Sequence, residues 1–203
     1  MKEHWNQRYS ENTFAYGKEP NFFFANELAK LKPGKLLLPA DGEGRNGVYA
    51  ARLGWEVYAF DYSEEGKRKA EKLAEENGVQ IDYRVMSIED ISYPLEHFDA
   101  AALVFAHFPP QFRKAWYSLV VQRLKRGGTM IVEGFSTEHM KNQQENAKAG
   151  GPPNKAMLYT EKQLLEDFDD LQINSLKANQ RILQEGPFHQ GKADLLQLMG
   201  TKK

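Results

Sequence analysis

The sequence predicts an α/β fold: a mostly parallel sheet of seven strands, covered by helices and finished by a C-terminal antiparallel hairpin. Three observations predict it. Up to about residue 135, short apolar runs alternate with helical patterns, the mark of a parallel sheet buried on both faces. A glycine-rich turn joins the first of those runs to the first of those helices. Near the end the rhythm breaks, and two strand-like runs follow each other with no helix between them.

Taken in order, residues 1–32 form a leader with helical character, in which Phe22-Phe23-Phe24 reads as core packing. Lys35-Leu36-Leu37-Leu38 is the first strand and Val57-Tyr58-Ala59-Phe60 the second. Ile81 to Val85 is the third, less apolar and so nearer a sheet edge. Ala100 to Phe105 and Thr129 to Glu133 are the fourth and fifth. Helices are predicted over Gly44–Leu53, Glu64–Asn77 and Gln111–Leu124. Gly78 and Gly127-Gly128 are read as stop signals, the latter after Lys125-Arg126. Thr160-Glu161-Lys162-Gln163 is a capping box opening a helix to about Phe168. Leu171–Leu176 and Ala193–Met199 are the last two strands, joined through Gln184-Glu185-Gly186-Pro187 as a hairpin. Residues 136–158 are polar and glycine-rich, a long surface loop that is either a substrate lid or a mobile connection.

The chain has 203 residues, 41% hydrophobic and 27% charged, which suits one domain spanning 1–203. A net charge of −1 lacks the excess of positive charge that general nucleic-acid binding needs. With no Cys, disulfides, thiolate metal sites and cysteine nucleophiles are excluded. No apolar run spans a bilayer and Met1 to Asn6 lacks the apolar core of a secretion signal, so the expected location is cytoplasmic. No His/Asp/Glu spacing suggests a metal site.

The sharpest local signal is Asp41-Gly42-Glu43-Gly44-Arg45-Asn46-Gly47, which satisfies G-x-G-x-x-G between a strand and a helix. Such a turn needs residues without Cβ so that backbone can approach a ligand. Asp61 ends the second strand, where a carboxylate can accept both hydroxyls of an adenosine ribose. Together they point to an adenosine-containing cofactor. A dinucleotide would place its pyrophosphate at the glycine turn, where Asp41 and Glu43 would oppose it. S-adenosyl-L-methionine carries a sulfonium and an ammonium instead, and carboxylates favour both.

The stretch from Leu36 to Asp61 resembles motif I and the acidic strand end of class I S-adenosylmethionine-dependent methyltransferases. Gly42-Glu43-Gly44-Arg45-Asn46 is similar to the loop of their tellurite-resistance and thiopurine methyltransferase branch. Trp5, Arg8-Tyr9, Tyr16-Gly17, Pro20-Asn21 and Arg126-Gly127-Gly128 look like that branch too. The resemblance implies a Rossmann-like, doubly wound sheet and methyl transfer to a small acceptor, a soft thiol or a chalcogen oxyanion. It assigns Pro39, Ala40, Asp41, Gly42, Glu43, Gly44 and Asn46 to the methionine part of the cofactor. Asp61 takes the ribose, Tyr62 packs on the adenine, and Ser87 and Ile88 meet the adenine edge. Phe105 and Ala106 lie beneath the sulfonium, while Trp5, Arg8 and Tyr16 close over the methionine carboxylate. Two departures stand out: Leu38 replaces the family's first acid, and Ala40 its first glycine. Asp41 is placed to supply the missing carboxylate.

His107, just beyond the fourth strand, is the candidate to orient the acceptor or take its proton, the bland reading being a bond to loop backbone. Phe108 and Glu133 are candidate substrate contacts, Glu133 otherwise capping the next turn. His139 reads as a solvated loop residue and His189 as structural. Two other readings remain open: an NAD(P)-dependent oxidoreductase, and a non-catalytic regulator that binds S-adenosylmethionine.

Overall fold

The computed structural model describes residues 2–203. Seven strands form one sheet: β1 (Lys35–Pro39), β2 (Glu56–Asp61), β3 (Asp82–Val85), β4 (Phe98–Val104), β5 (Leu124–Phe135), β6 (Leu171–Gln184) and β7 (Gln190–Lys202). Their order is β3-β2-β1-β4-β5-β7-β6. The first five are parallel; β7 runs antiparallel to both β5 and β6. The short, half-polar β3 lies at one edge, as its composition predicts.

Among the described residues, seven α-helices accompany the sheet: α1 (Lys2–Tyr9), α2 (Phe22–Leu28), α3 (Arg45–Arg52), α4 (Glu64–Glu76), α5 (Pro110–Arg123), α6 (Met140–Glu145) and α7 (Glu161–Asp167). Because side chains alternate along a strand, each central strand feeds two cores. Leu36, Leu38, Ala100 and Ala102 pack on one face with Phe24 and Leu28 of α2. Leu37, Ala101 and Leu103 pack on the other with Tyr117, Val120 and Val121 of α5 and Leu164 of α7. Each such fully buried Leu contributes about 1.5–3 kcal/mol, which is why β1 reads as an unbroken apolar run.

Local signals set the helix ends. Ser63 caps α4 by accepting from Gly66 N at 3.0 Å. Gly78, at φ +66°, closes α4 with Val79 N bonded to Ala74 O and Gly78 N to Glu75 O. Thr160 Oγ1 accepts from Gln163 N at 3.2 Å, and the Gln163 side chain returns to the Thr160 hydroxyl. The predicted stop at Gly127-Gly128 is corrected. Helix α5 ends at Arg123 because Leu124 is fully buried and pairs with Phe98, so the chain is extended before it reaches the glycines. Gly127, at φ +78°, instead serves an irregularity where the β4–β5 register shifts between Phe98 and Ala100.

Two further expectations change. Strands β6 and β7 are about twice as long as predicted; the outer half of β6 carries polar, partly exposed residues that hide its period. Strand β5 pairs with β7 only from Leu195 to Thr201, so the far half of the hairpin projects beyond the rest of the sheet. In the segment after β5, His139, Asn142, Ala149, Leu158 and Tyr159 are all buried. His139, expected in solvent, is wholly enclosed: it stacks on Phe135 at 4.2 Å, and its Nε2 lies 3.2 Å from Gly150 O. No described helix is long and apolar enough to cross a membrane.

Candidate functional site

From β1 the chain steps outward to β2 and β3, then crosses back to β4 on the other side of β1. The carboxyl ends of β1 and β4 therefore flank a topological switch point, where open α/β sheets hold their ligands. Two strained residues mark it: Ala40 at φ +56° and Phe105 at φ +54° directly follow these two strands. Side chains rarely adopt that conformation, and it persists only where surrounding structure enforces it.

Past Ala40 the loop stays tight, with Gly42 and Gly44 also at positive φ, +57° and +83°. The Asp41 carboxylate turns inward and accepts from Gly47 N at 3.1 Å, capping α3. Burial pushes its pKa up to about 7, against the opposing pull of the Gly47 bond and Arg45. Asp61 ends β2 and accepts from Gly42 N at 3.2 Å and Ser63 N at 3.0 Å. Burial raises its pKa to about 6. A second rank of residues, not foreseen from the sequence, steadies the loop. Tyr83 of β3 donates to Gly42 O at 2.5 Å, and the buried Tyr9 of α1 sets its hydroxyl where a Cβ on Gly42 would meet it at 2.6 Å.

Glu43 and Asn46 do not face the cleft. The Glu43 carboxylate pairs with Lys69 at 2.7 Å, the two side chains 3% and 5% exposed, and accepts from Ala15 N at 2.7 Å. Asn46 Oδ1 accepts from Asn21 N at 2.9 Å. Both pin residues 13–21 across the loop and Asp41 is turned inward, so the carboxylate left at the cleft to oppose a diphosphate is Asp61.

Pro39, Ala40, Phe60, Asp61, Tyr62, Met86, Ile88 and Phe108 line a cleft of about 10 Å³. Its chemistry suits a nucleoside: a carboxylate at one end, a tyrosine wall, and apolar Ile88 and Phe108. Its volume holds less than one water, so its walls must part to admit a ring. The Ser87 hydroxyl donates to Asp90 at 2.8 Å, leaving its oxygen to accept from an amino group. Burial pushes the Tyr62 phenol up to about 12.

On the other side of the loop, Arg8 donates to Tyr16 Oη at 3.2 Å and lies 3.9 Å over the Phe188 ring. Among the described residues no carboxylate pairs with it. Trp5 stacks on Tyr9 at 5.4 Å. Phe105 packs between Phe135 at 4.7 Å and His189 at 4.5 Å, with Tyr16 4.4 Å from His189. Ala106 offers its carbonyl to the Tyr159 hydroxyl at 2.9 Å.

The structure corrects two candidates. His107 is a clamp: Nε2 accepts from Phe135 N at 3.0 Å and Nδ1 donates to Met157 O at 2.8 Å. Both nitrogens are taken, and burial lowers its pKa to about 4. Glu133 neither meets open space nor caps a turn. It is 1% exposed and accepts from Asn21 Nδ2 at 2.6 Å and Gln197 Nε2 at 2.5 Å. Three residues outside the sequence-based site complete this end: Arg45 donates to Tyr16 O at 2.9 Å and pairs with Glu185 at 2.9 Å, which faces His189 Nδ1 at 3.5 Å. Nothing local marks this group; only the folded hairpin brings residues 45 and 185 together. Among the described residues no three His, Asp or Glu side chains could hold a metal.

A family model described as a methyltransferase domain matches residues 39–128, which includes the loop, Asp61 and Phe105. No curated protein matches the sequence. Among solved structures, one titled for the conversion of a disulfide bond into a thioacetal during echinomycin biosynthesis aligns with TM-score 0.81 and 17% identity, covering 100% of this chain and 92% of that one. An S-adenosylmethionine-dependent methyltransferase from Methanosarcina mazei aligns with TM-score 0.69 and 18% identity, over 90% and 98%. Magnesium protoporphyrin IX methyltransferase from Synechocystis, with bound S-adenosylhomocysteine, aligns with TM-score 0.68 and 15% identity, over 99% and 93%. The fold is thus the Rossmann-like one that these methyltransferases share.

Proposed function

We propose that this chain is a methyltransferase that uses S-adenosyl-L-methionine and acts on a small molecule. One observation carries the reading: the strained Ala40–Gly44 turn and Asp61 are joined by the Gly42–Asp61 bond at the switch point, inside the segment that matches a methyltransferase domain. Asp61 would hold the ribose, Tyr62, Ser87 and Ile88 the adenine, and the Pro39–Gly42 backbone the methionine part. Arg8, unpaired and braced by Tyr16 and Phe188, would meet the carboxylate. When bound, the cofactor supplies an electrophilic methyl group. The chain's task is to align the acceptor and exclude water, and Phe105 and Tyr16, with the buried Phe135 behind Phe105, provide an apolar wall for that.

A soft sulfur or chalcogen acceptor of the tellurite-resistance and thiopurine kind rests on the sequence resemblance and on the sulfur chemistry named for the echinomycin neighbour. A near-neutral charge supports a small acceptor over nucleic acid and suits a cytoplasmic enzyme. Titration calorimetry with S-adenosylhomocysteine beside NADH tests the reading. Saturable binding of the first alone is expected; binding of NADH alone would make the chain a nucleotide oxidoreductase.

A further inference from the structure

The group formed by Arg45, Glu185 and His189 is given no direct role in the proposed cofactor site. It sits where the hairpin between β6 and β7 meets residues 13–17: Phe188 N bonds to Ala15 O at 3.3 Å. A Cβ on Gly17 would lie 3.4 Å from Gly186 N. Arg45 fixes Glu185, and burial is outweighed by His189 and Arg45 in holding that carboxylate down to about 2. A carboxylate facing Nδ1 selects the tautomer with the proton on Nδ1, so the Nε2 lone pair is free. Among the described residues Nε2 has no hydrogen-bond partner. The wholly enclosed polar atoms without partners are Tyr93 Oη, Arg113 Nη1 and Arg123 Nε, so Nε2 keeps a narrow solvent contact although the His189 side chain is only 6% exposed, on the side of the ring where a Cβ on Gly150 would lie 3.0 Å from it. Its ring lies against Phe105, Phe135 and Tyr16, the apolar wall described above.

Resting on the methyltransferase reading but departing from its soft sulfur or chalcogen acceptor, we infer that His189 is the group that receives the acceptor's proton, and that the acceptor is a flat, largely apolar molecule bearing a hydroxyl. A chalcogen oxyanion arrives already deprotonated and has no use for a free imidazole lone pair. A phenolic hydroxyl does. As the acceptor oxygen bonds to the methyl carbon, the carbon–sulfur bond breaks with its electron pair remaining on sulfur, and the hydroxyl proton passes to Nε2 and then to water. The product ether is neutral, and the positive charge leaves as the released proton. Glu185 and Arg45 act through His189 as positioning residues. The charged or titratable groups facing the imidazole are Glu185 from the hairpin turn, Arg45 from α3, Tyr16 from the leader, His107 after β4 and His139 from the segment after β5. Burial and Arg45 hold the imidazole neutral, ready to accept.

The test uses the full chain with 4-methylphenol and 2-naphthol as hydroxyl acceptors and tellurite as an acceptor without a proton. S-adenosylhomocysteine affinity is measured first; its absence overturns the methyltransferase reading and this one with it. With binding established, methylation of a phenol is expected. His189→Gln lowers kcat for it about 100-fold, the usual scale for a positioned base, with cofactor affinity within twofold of wild type. Independently of turnover, nitrogen NMR of the protein loaded with S-adenosylhomocysteine is expected to show His189 protonated on Nδ1. Its Nε2 signal should move on addition of 2-naphthol, and Glu185→Gln should mix the tautomers. Turnover of tellurite but of no phenol, a His189→Gln loss under threefold, or an Nε2 signal indifferent to 2-naphthol would overturn this inference and leave the methyltransferase reading standing.

Discussion

Gly42 N donates to the Asp61 carboxylate at 3.2 Å, so the residue proposed to read a ribose also holds the turn proposed to cradle the rest of the ligand. Asp61→Ala removes both roles at once. A charge-assisted hydrogen-bonding group is worth about 1.5–3 kcal/mol, so S-adenosylhomocysteine affinity should fall roughly 10- to 100-fold. Calorimetry on the variant decides it, and unchanged affinity would take Asp61 out of the ribose site.

Acid stability should reveal two opposed pairs. Asp41 and Asp61 have pKa values raised from 3.8 to about 7 and about 6, chiefly by burial. Over that range the folded chain keeps protons that the unfolded chain has released, so their contribution falls as pH rises. His107 and His189 are lowered from 6.5 to about 4, also chiefly by burial. Their contribution is full above the unfolded value and is lost as pH falls through about 4. The pairs oppose each other between pH 4.5 and 6.5, and the wild-type urea midpoint should be nearly flat there. Asp41→Asn keeps an acceptor for Gly47 N but removes one arm, so its stability should drop by on the order of 2 kcal/mol between pH 7 and 4.5. A profile parallel to wild type would refute this account.

Ala40→Gly should stabilise the fold. A non-glycine residue in the left-handed region costs roughly 1–2 kcal/mol, and a new glycine costs roughly 0.5–1 kcal/mol through the unfolded chain. The balance is a gain of about 0.5 kcal/mol, or a rise of about 1–2 °C in Tm for a chain of this size. A thermal melt that moves downward would show that Ala40 makes packing contacts worth more than its strain.

The Glu43–Lys69 pair is almost fully enclosed. Glu43→Gln strands the ammonium and should destabilise the fold by about 3–5 kcal/mol, far more than loss of the exposed Lys2–Glu64 pair. Because Glu43 also accepts from Ala15 N, amide hydrogen exchange near residue 15 should accelerate beyond the global change. Uniform acceleration would mean that Glu43 does not tether this segment in particular.

Most of the sheet was legible because its signals are local. Leu36 to Leu38 can only be a strand buried on both faces, and Ser63 and Gly78 bracket α4 by their own chemistry. Asp61 was legible for the same reason, a carboxylate at a strand end one helix after a glycine turn. Glu43 was misread because sequence shows its charge but not its direction, and the buried Lys69 that captures it lies 26 residues away. His107 stood between two readings, and the structure favours the bond to backbone, because its two partners, Phe135 N and Met157 O, are backbone groups that leave no trace in side-chain spacing. Glu185 and His189 looked like an ordinary turn, since their meaning comes from Arg45 across the molecule.

The projecting hairpin ties the two ends of the chain together: Ala15, Tyr16 and Gly17 rest on Glu185, Gly186 and Phe188. In chain order β1 to β5 and the glycine turn all precede those late residues. The wall beside Phe105 and the clasp on the leader form only at the end. The turn proposed for the cofactor is therefore made of residues synthesised early, whereas the wall beside Phe105 is completed only by residues synthesised last.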